Sequence, residues 1–436
     1  MYTSVMTYLE LEKTSLELKH KALLFETGME RFETGSLKEY KSHVLVISGI
    51  RRCGKSTFLH QYVKRLGRDF FYLNFDDLRL SEFTPDDYPL LDALIQKTDC
   101  SLLFFDEIQS APKWELYIRQ KLDEQYQVVV TGSNASLLGR ELGTKLTGRH
   151  ITKELFPFSY REFCRFKDIE EGEKSFMLYS KTGGFPEYVK TENPDILPSL
   201  INDILYRDIA ARYSVRDVAS LKNLFVFLLS NCGNLISPSR LTQILGVKSP
   251  STVLDYLSYF ETSYMLSLVP FFSWSQKSQQ LHPKKVYAVD TSLIHAASRS
   301  YTKDEGHLLE NIVFTELRRL SADIHYFSDK DSCECDFVVN AKGENPGLPH
   351  PLLIQVCTEL NIENRKREVN GLLRAVHFFT ADDSSKGSVP FESPIFNPFS
   401  VILTLNTEDT IITEGFEIRV LPVWKFFGSS TFSPAQ

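Results

Sequence analysis

A glycine-rich segment that ends in lysine and serine carries the clearest chemistry in this 436-residue sequence. Residues 49–56 read GIRRCGKS and match G-x-x-x-x-G-K-[ST] between an apolar run and a helix-like stretch. Glycines in such a turn let backbone N–H groups curl around phosphate oxygens, and the helix N-terminus adds positive potential. We expect Lys55 to reach the β- and γ-phosphates and the Ser56 hydroxyl to bind Mg²⁺. The predicted nucleotide-binding residues are Gly49, Ile50, Arg51, Arg52, Cys53, Gly54, Lys55, Ser56 and Thr57.

Two acidic residues close a second apolar run. Asp106 and Glu107 follow the segment 102–105, LLFF. Carboxylates at the C-terminal end of a strand lie beside the phosphate loop in an open α/β sheet. Asp106 is therefore predicted to hold Mg²⁺ through its water shell. Glu107 is predicted to polarise the water that attacks the γ-phosphate.

Polar and basic residues that follow the next strand-like run complete the predicted catalytic set. Asn134, in TGSN, is expected to contact the γ-phosphate or the lytic water, and a helix cap is the alternative role. Arg140 and Arg149 are candidates for neutralising transition-state charge, in cis or from a neighbouring subunit. Arg149 is preferred because it follows Gly148 in LTGRH. The predicted catalytic residues are Lys55, Glu107, Asn134 and Arg149.

The elements that position these residues alternate in type along the chain. Short apolar, β-branched runs at 43–49, 69–75, 100–107 and 126–133 are separated by helix-length segments. Such runs are typical of parallel strands buried on both faces. The predicted fold class is α/β, with a P-loop NTPase parallel-sheet core at 43–166. A polar helical lead-in is predicted at 1–42.

These segments resemble a known family when they are read in order. GIRRCGKST, LLFFDEIQ, TGSNASLL, LTGRH, ELFPFSYREF and GGFPEYV, then YRDI and LLEN…ECDFVV…LIQVC, are similar to a widespread prokaryotic family of AAA-type ATPases with a C-terminal domain of unknown function. The resemblance implies an ATP-binding, ATP-hydrolysing core with a five-stranded parallel sheet. It also implies that Lys55, Ser56, Asp106, Glu107 and Asn134 are nucleotide and Mg²⁺ residues.

The middle of the chain is predicted to hold a helical segment at 167–235 and a winged helix at 236–300. Ser-Pro pairs at 237 and 249 begin two short helices, and the runs 265–273 and 284–290 would form the wing. The winged-helix segment holds six Lys and Arg against three acids, a local charge of +3 in a chain of net charge −7. Double-stranded DNA is a candidate partner, and the phosphate contacts would come from Lys248, Lys277, Lys284 and Lys285. A protein-interaction module is the alternative, because the second helix is poor in base-reading Arg and Asn.

The last part of the chain, 301–436, is predicted to be a restriction-endonuclease-like α/β domain. Glu310 on a helix, Asp336 entering a strand and Gln355 on the next strand match the metal-binding elements of that fold. Cys357 stands where the lysine of such a site is expected, and a thiol cannot supply its positive charge. The domain is therefore predicted to be inactive as a nuclease. Cys333 and Cys335 lack a matching ligand pair, which argues against structural zinc.

Composition narrows the function classes. Seven cysteines, an odd number, do not form a disulfide framework, and a cytoplasmic location is expected. The sequence shows neither a signal-peptide pattern nor an apolar run long enough for a bilayer, so no membrane partner is expected. Three functions stay open: an ATPase motor or conformational switch on DNA, an ATP-dependent switch that recruits a protein partner or a second copy, and an ATP-gated nuclease.

Overall fold

The structure, a computed structural model, describes residues 6–32, 38–133, 146, 148–247, 249–297, 305–329, 333–345, 351–385 and 399–428. The chain divides into two compact units. The first consists of Met1–Pro157 with Thr262–Tyr264, and the second of Phe158–Glu261 with Met265–Gln436. The first unit therefore ends before the predicted core boundary at Phe166.

The described part of the first unit contains strands β1 to β5 and helices α1 to α4. In chain order these are α1 Tyr8–Leu24, β1 Val44–Ser48, α2 Lys55–Leu66, β2 Phe71–Asn74, α3 Tyr88–Thr98, β3 Leu102–Asp106, α4 Trp114–Asp123, β4 Gln127–Gly132 and β5 His150–Glu154. The four predicted strand runs are β1 to β4. The first strand predicted by the apolar pattern, β1, is buried along its whole length.

The five strands form one parallel sheet in the order β2-β3-β4-β1-β5. This confirms the predicted α/β class and the five-stranded parallel sheet. Because β1 pairs with β4 on one side and β5 on the other, the carboxyl ends of β1, β3 and β4 meet at one edge of the sheet. The residues at the ends of those strands and just after them are the ones predicted from the sequence to bind nucleotide or act in catalysis.

The lead-in departs from a purely helical segment. Helix α1 begins at a capping box in which Thr7 and Glu10 exchange hydrogen bonds, and it ends at Leu24. The described residues 25–31 that follow are not helical. Gln61 on α2 holds this segment, since its Nε2 donates to the carbonyl oxygens of Thr27 at 3.0 Å and Met29 at 2.7 Å.

The second unit starts with helices and continues into two sheets. Its described helices are α5 Tyr160–Lys167, α6 Glu173–Thr182, α7 Pro186–Thr191, α8 Ile196–Asp203, a π-helical stretch Ile204–Ala211, α9 Val218–Leu229, α10 Pro238–Leu245, α11 Pro250–Thr262, α12 Gln276–Leu281, α13 Thr291–Ala297, α14 Glu305–Leu320, α15 Arg365–Ser385 and α16 Val423–Gly428. Helix α11 ends at Thr262, which the division of the chain assigns to the first unit.

A small antiparallel sheet has the order β6-β8-β7, with β6 Leu235–Ile236, β7 Leu266–Val269 and β8 Lys284–Ala288. The elements predicted for the winged helix are therefore present one by one: α10 and α11, then the two longer strands. Helix α12, between β7 and β8, was not predicted. The assignment of this segment as a winged helix stays a prediction.

A six-stranded mixed sheet has the order β13-β14-β12-β11-β10-β9. Its strands are β9 Ile324–Ser328, β10 Glu334–Val339, β11 Leu352–Val356, β12 Phe399–Thr404, β13 Asp409–Thr413 and β14 Phe416–Pro422. Strands β11 and β12 are parallel neighbours, and helix α15 lies between them in the chain. The α/β character predicted for this part is thus present, while the nuclease-like assignment stays a prediction.

Candidate nucleotide site

The glycine-rich loop leaves the carboxyl end of β1 and passes directly into α2. Gly49 has φ +152°, and a Cβ atom there would lie 2.1 Å from the carbonyl oxygen of Leu155. Gly54 has φ 101° and is the residue before the helix starts at Lys55. Both positions therefore need glycine. The first N–H groups of α2 have no acceptor within the helix, which makes them donors for an anion at this turn.

Lys55 is buried and lies over the loop that precedes it. Its Nζ donates to the carbonyl oxygens of Gly49 at 3.2 Å and Ile50 at 3.1 Å. These acceptors are uncharged, and an ammonium group bonds more strongly to phosphate oxygens than to neutral carbonyls. The ammonium is therefore held at the loop by contacts that a phosphate group can replace.

Ser56 and Asp106 bring a hydroxyl and a carboxylate together. Asp106 is fully buried at the end of β3, and it accepts hydrogen bonds from the hydroxyls of Thr131 and Tyr72, the latter at 3.1 Å. Burial raises the pKa of Asp106, and the charge of Glu107 raises it further, while the hydroxyls of Thr131, Ser56 and Tyr72 lower it. Hydroxyl and carboxylate oxygens are ligands that Mg²⁺ prefers, so these residues fit that ion.

Glu107 is held in an unusual backbone conformation beside the same carboxylate. Its φ is 49°, in the left-handed region, and its N–H donates to Thr131 Oγ1 at 3.0 Å. Its Oε2 accepts a hydrogen bond of 2.5 Å from Nε2 of Gln109, which also lies 3.5 Å from Ser133 Oγ. Residues at the ends of β3 and β4 thus fix the direction in which the Glu107 carboxylate projects.

The sequence pattern does not predict several residues of this site. Thr131 lies in the TGSN segment, where the pattern predicts a role for Asn134 alone. Tyr72 lies in β2, where the apolar sequence pattern predicts a buried strand but gives no sign of a functional side chain. Tyr264 OH donates to Ser48 Oγ at 2.9 Å, at the base of the phosphate loop, and only the fold brings these two residues together.

Arg31, in the segment between α1 and β1, bonds to the glycine-rich loop. Its side chain is buried, and it donates to the carbonyl oxygens of Cys53 at 3.2 Å and Phe156 at 2.9 Å. Cys53, inside the loop, donates its thiol hydrogen to the carbonyl oxygen of Leu155. Burial raises the pKa of the Cys53 thiol, which makes it a packing residue and not a nucleophile.

Three further residues were predicted to act in catalysis: Asn134, Arg140 and Arg149. Asn134 and Arg140 lie outside the described residues. Arg149 accepts the Val44 N–H at the amino end of β1 with its carbonyl oxygen, and its Nη2 pairs with Asp123 at 2.8 Å. The strand β1 separates that position from the phosphate loop by about 13 Å at 3.3 Å per residue. This distance favours action from a neighbouring subunit over action on the nucleotide of the same protomer. The catalytic role of Arg149, in cis or in trans, stays a prediction.

The three nuclease-like residues of the second unit do come together. Glu310 on α14 and Asp336 on β10 both contact the ammonium of Lys285, each at 2.9 Å. Gln355 Oε1 accepts the backbone N–H of Asp336 at 3.2 Å. Cys357, at the expected lysine position, packs into the apolar core, and burial raises its pKa to about 12. The prediction that Lys285 meets DNA phosphates is wrong, because this side chain is buried against carboxylates.

Comparisons with known proteins agree with this reading of the first unit. A family model described as an AAA domain matches residues 41–164, and a second, a domain of unknown function (DUF8612), matches residues 173–304. The first unit therefore contains an AAA domain on the parallel α/β sheet of a P-loop NTPase core, as the sequence resemblance implied.

Two relatives extend the match over most of the chain. The uncharacterized protein MJ1544 of Methanocaldococcus jannaschii is 31% identical over 436 residues, covering 94% of this chain and 93% of the relative. An uncharacterized protein of Haemophilus influenzae is 30% identical over 351 residues, covering 76% of this chain and 86% of the relative. The chain belongs to the family of these proteins.

Among solved structures, the Thermotoga maritima RuvB Holliday junction branch migration motor covers 61% of this chain and 90% of its own, at 18% identity and a TM-score of 0.29. At that TM-score the superposition adds nothing to the assignment. In the part of the chain that the structure describes, no helix combines the length and the apolar character needed to cross a membrane.

Proposed function

We propose that the first unit binds ATP together with Mg²⁺ and hydrolyses the γ-phosphate. The observation that carries the proposal is the adjacency of three groups at one edge of the sheet: the Lys55 ammonium on the loop carbonyls, the buried Asp106 carboxylate, and the Ser56 hydroxyl that lowers the pKa of that carboxylate. In this proposal Lys55 leaves the carbonyl oxygens of Gly49 and Ile50 and binds the β- and γ-phosphates.

The residues would divide the chemistry in the following way. Ser56 and Asp106 hold Mg²⁺, which when bound neutralises charge on the phosphate oxygens. Glu107 accepts a proton from the attacking water, and Gln109 sets the position of its carboxylate. Arg31 holds the loop in shape through the carbonyl of Cys53 and touches no phosphate.

The test is calorimetry with purified full-length protein, MgATP and MgGTP, paired with phosphate-release measurements. We expect saturable binding that requires Mg²⁺, and turnover of ATP. A protein that shows no Mg²⁺-dependent affinity for either nucleotide would overturn the proposal. If the protein binds ATP but never releases phosphate, the site acts as a nucleotide sensor. Glu107 then does not have the proposed role of general base.

We further propose that nucleotide turnover drives a conformational switch whose partner is a protein. Helix α11, the predicted recognition helix, contains neither Lys nor Arg, and its exposed residues include Leu254, which is 53% exposed, and Asp255. Tyr259 on the same helix stacks on Tyr213 with ring centroids 3.9 Å apart. An apolar and acidic exposed face suits a protein surface better than phosphates.

DNA is the second candidate, because Lys277 on the exposed helix α12 and Lys284 remain basic groups of this segment. ATP turnover is to be measured with and without duplex DNA at several salt concentrations. Stimulation that falls steeply with salt would favour DNA over a protein partner. Light scattering with and without ATP would report assembly, and loss of turnover in Arg149→Ala only under assembling conditions would support its role in trans.

A further inference from the structure

The second unit contains a polar cleft of about 1220 Å³ with a buried ammonium group at its wall. The lining includes Lys285, Gln355, Glu368 and three carboxylates that we call the carboxylate cluster: Glu310, Glu334 and Asp336. Lys285 is only 3% exposed. A buried lysine needs compensation, because desolvation disfavours the charged form.

The Lys285 ammonium lies within ion-pair distance of three different carboxylates. Nζ lies 2.9 Å from Glu310 Oε1 and 2.9 Å from Asp336 Oδ1, and it also pairs with Glu334 Oε1. Burial alone would lower the pKa of Lys285, but the negative charges around it raise that pKa well above the usual value. The side chain is therefore a permanent cation at neutral pH.

Strand geometry explains why these groups converge. Lys285 and Tyr287 are two residues apart on β8 and share one face, and both bond to Glu310 Oε1, the tyrosine hydroxyl at 2.6 Å. Glu334 and Asp336 are likewise two residues apart on β10. Gly371 on α15 lets that helix approach β10 closely, since a Cβ there would lie 2.0 Å from the Glu334 carbonyl oxygen.

Backbone and amide groups bond to the second Asp336 oxygen and to the residues beside it. Asp336 Oδ2 accepts the Val356 N–H at 2.9 Å. Gln355 donates from Nε2 to Glu368 at 2.8 Å, and its Oε1 accepts the Asp336 N–H. In the described residues as they stand, with the Lys285 ammonium between these carboxylates, no three His, Cys, Asp or Glu side chains are arranged to hold a metal ion. The carboxylates thus face an ammonium group at the position where a cation would sit.

We propose that the Lys285 ammonium is a built-in cation that replaces a divalent metal ion at the carboxylate cluster. An ammonium group balances part of the carboxylate charge, but it cannot polarise a water molecule in the way that a divalent ion does. The cluster is then a structural site that joins β8, α14 and β10 without metal. Removal of the Lys285 ammonium should free Glu310, Glu334 and Asp336 to bind a divalent cation through oxygen atoms.

The experiment is Mn²⁺ titration of nucleotide-free, full-length protein, followed by calorimetry and by the melting temperature. The wild-type protein is expected to show no saturable Mn²⁺ binding at the cluster, and Mn²⁺ should leave its melting temperature unchanged. Lys285→Met is expected to melt at a lower temperature and to recover with Mn²⁺, with at least a tenfold gain in Mn²⁺ affinity. Adding Asp336→Asn to that variant should abolish the gain. Lys284→Met, on the opposite face of the same strand, is the matched control and should behave as wild type.

Two results would overturn the proposal. One is saturable Mn²⁺ binding, or Mn²⁺-dependent plasmid cleavage, by the wild-type protein that disappears in Asp336→Asn. The other is a folded Lys285→Met protein that gains no Mn²⁺ affinity. Should that variant fail to fold, the wild-type titration still decides the question, because it needs no substitution at Lys285. Any Mn²⁺ that binds at Ser56 and Asp106 is common to the wild type and all these variants, so the differences between them report on the cluster and stand apart from the proposed ATPase function.

Discussion

Two buried lysines, one in each unit, show how the acceptors around an ammonium group decide what it can do. Lys55 bonds to two backbone carbonyls, whereas Lys285 bonds to three carboxylates. Uncharged acceptors hold a cation weakly, so Lys55 can leave them for a stronger anionic ligand. Carboxylates hold a buried cation strongly, so Lys285 stays where it is.

The comparison also distinguishes how the two sites use carboxylates. Asp106 and Glu107 stand next to hydroxyl and amide donors, which leaves their site without a fixed cation of its own among the described contacts. Glu310 and Asp336 share a protein cation. The first arrangement suits a site that takes a metal ion with its substrate, and the second suits a site that is complete without one.

The largest expected effect is the loss of nucleotide binding in Lys55→Ala. Two charge-assisted hydrogen bonds to phosphate are worth about 1.5–3 kcal/mol each, so MgATP affinity should fall on the order of 100-fold or more. Calorimetry measures this, and Lys64→Ala, on the exposed face of the same helix α2, is the control. Normal ATP affinity in Lys55→Ala would show that Lys55 is not a phosphate ligand.

Glu107→Gln is expected to separate binding from hydrolysis. The amide keeps the shape of the side chain but cannot accept the proton of the attacking water, and general-base catalysis contributes about 10²–10⁴-fold. MgATP affinity should therefore match wild type within about threefold, while kcat falls by about that factor. A variant that hydrolyses ATP at the wild-type rate would remove Glu107 as the base.

Lys285→Met tests the other lysine by stability and not by turnover. Removal of one partner from a buried ion pair costs about 3–5 kcal/mol, because the other partner is left without compensation. We expect a loss of that order in the free energy of unfolding, measured in urea without divalent cations. MgATP affinity should stay at the wild-type level. A loss below about 1 kcal/mol would mean that the three carboxylates do not depend on the ammonium.

The sequence predicted the first of these sites far better than the second. The phosphate loop is one contiguous motif, and the strand-end rule places Asp106 beside it, so spacing and sheet topology were enough. The parts that were missed depend on contacts remote in sequence: Arg31 reaches Cys53, and Lys285 reaches Asp336. The charge at residue 285 was read as a surface contribution to a basic segment, because sequence does not show which face of a short strand is buried.

The secondary structure was likewise predicted better in the first unit than in the second. The four apolar strand runs of the first unit were recognised because each is buried on both faces. Helix α15 was missed, although Leu372, Leu373 and Val376 follow helical spacing and pack in the core of the second unit. That segment is rich in charged residues at its start, which hides the apolar face in a simple reading of composition.

Glu310→Gln is expected to flatten the pH dependence of stability. Burial and the nearby Asp336 raise the pKa of Glu310 from its ordinary 4.5 to about 7. Between those values the folded protein holds a proton that the unfolded chain has lost, so this group makes stability fall as pH rises. At about 1.4 kcal/mol per pKa unit the contribution is a few kcal/mol. Urea unfolding from pH 5 to pH 8 measures it, with the exposed Glu305→Gln on the same helix as control. An unchanged slope would contradict the assignment.

The smallest expected effect concerns Gln109, whose amide bonds to the Glu107 carboxylate at 2.5 Å. Gln109→Glu replaces a donor by a second carboxylate of nearly the same size, and like charges at hydrogen-bond distance favour uptake of a proton. We expect kcat at neutral pH to fall about threefold to tenfold, because a shared proton occupies the base. The KM for ATP should not change, since within the described residues the Gln109 amide bonds to Glu107 and Ser133 and not to the phosphate loop. The acid limb of the pH–rate profile should move to higher pH, and activity should recover there. A uniform loss at every pH would instead assign Gln109 a role in packing, and it would leave the position of Glu107 to its backbone conformation and to Thr131.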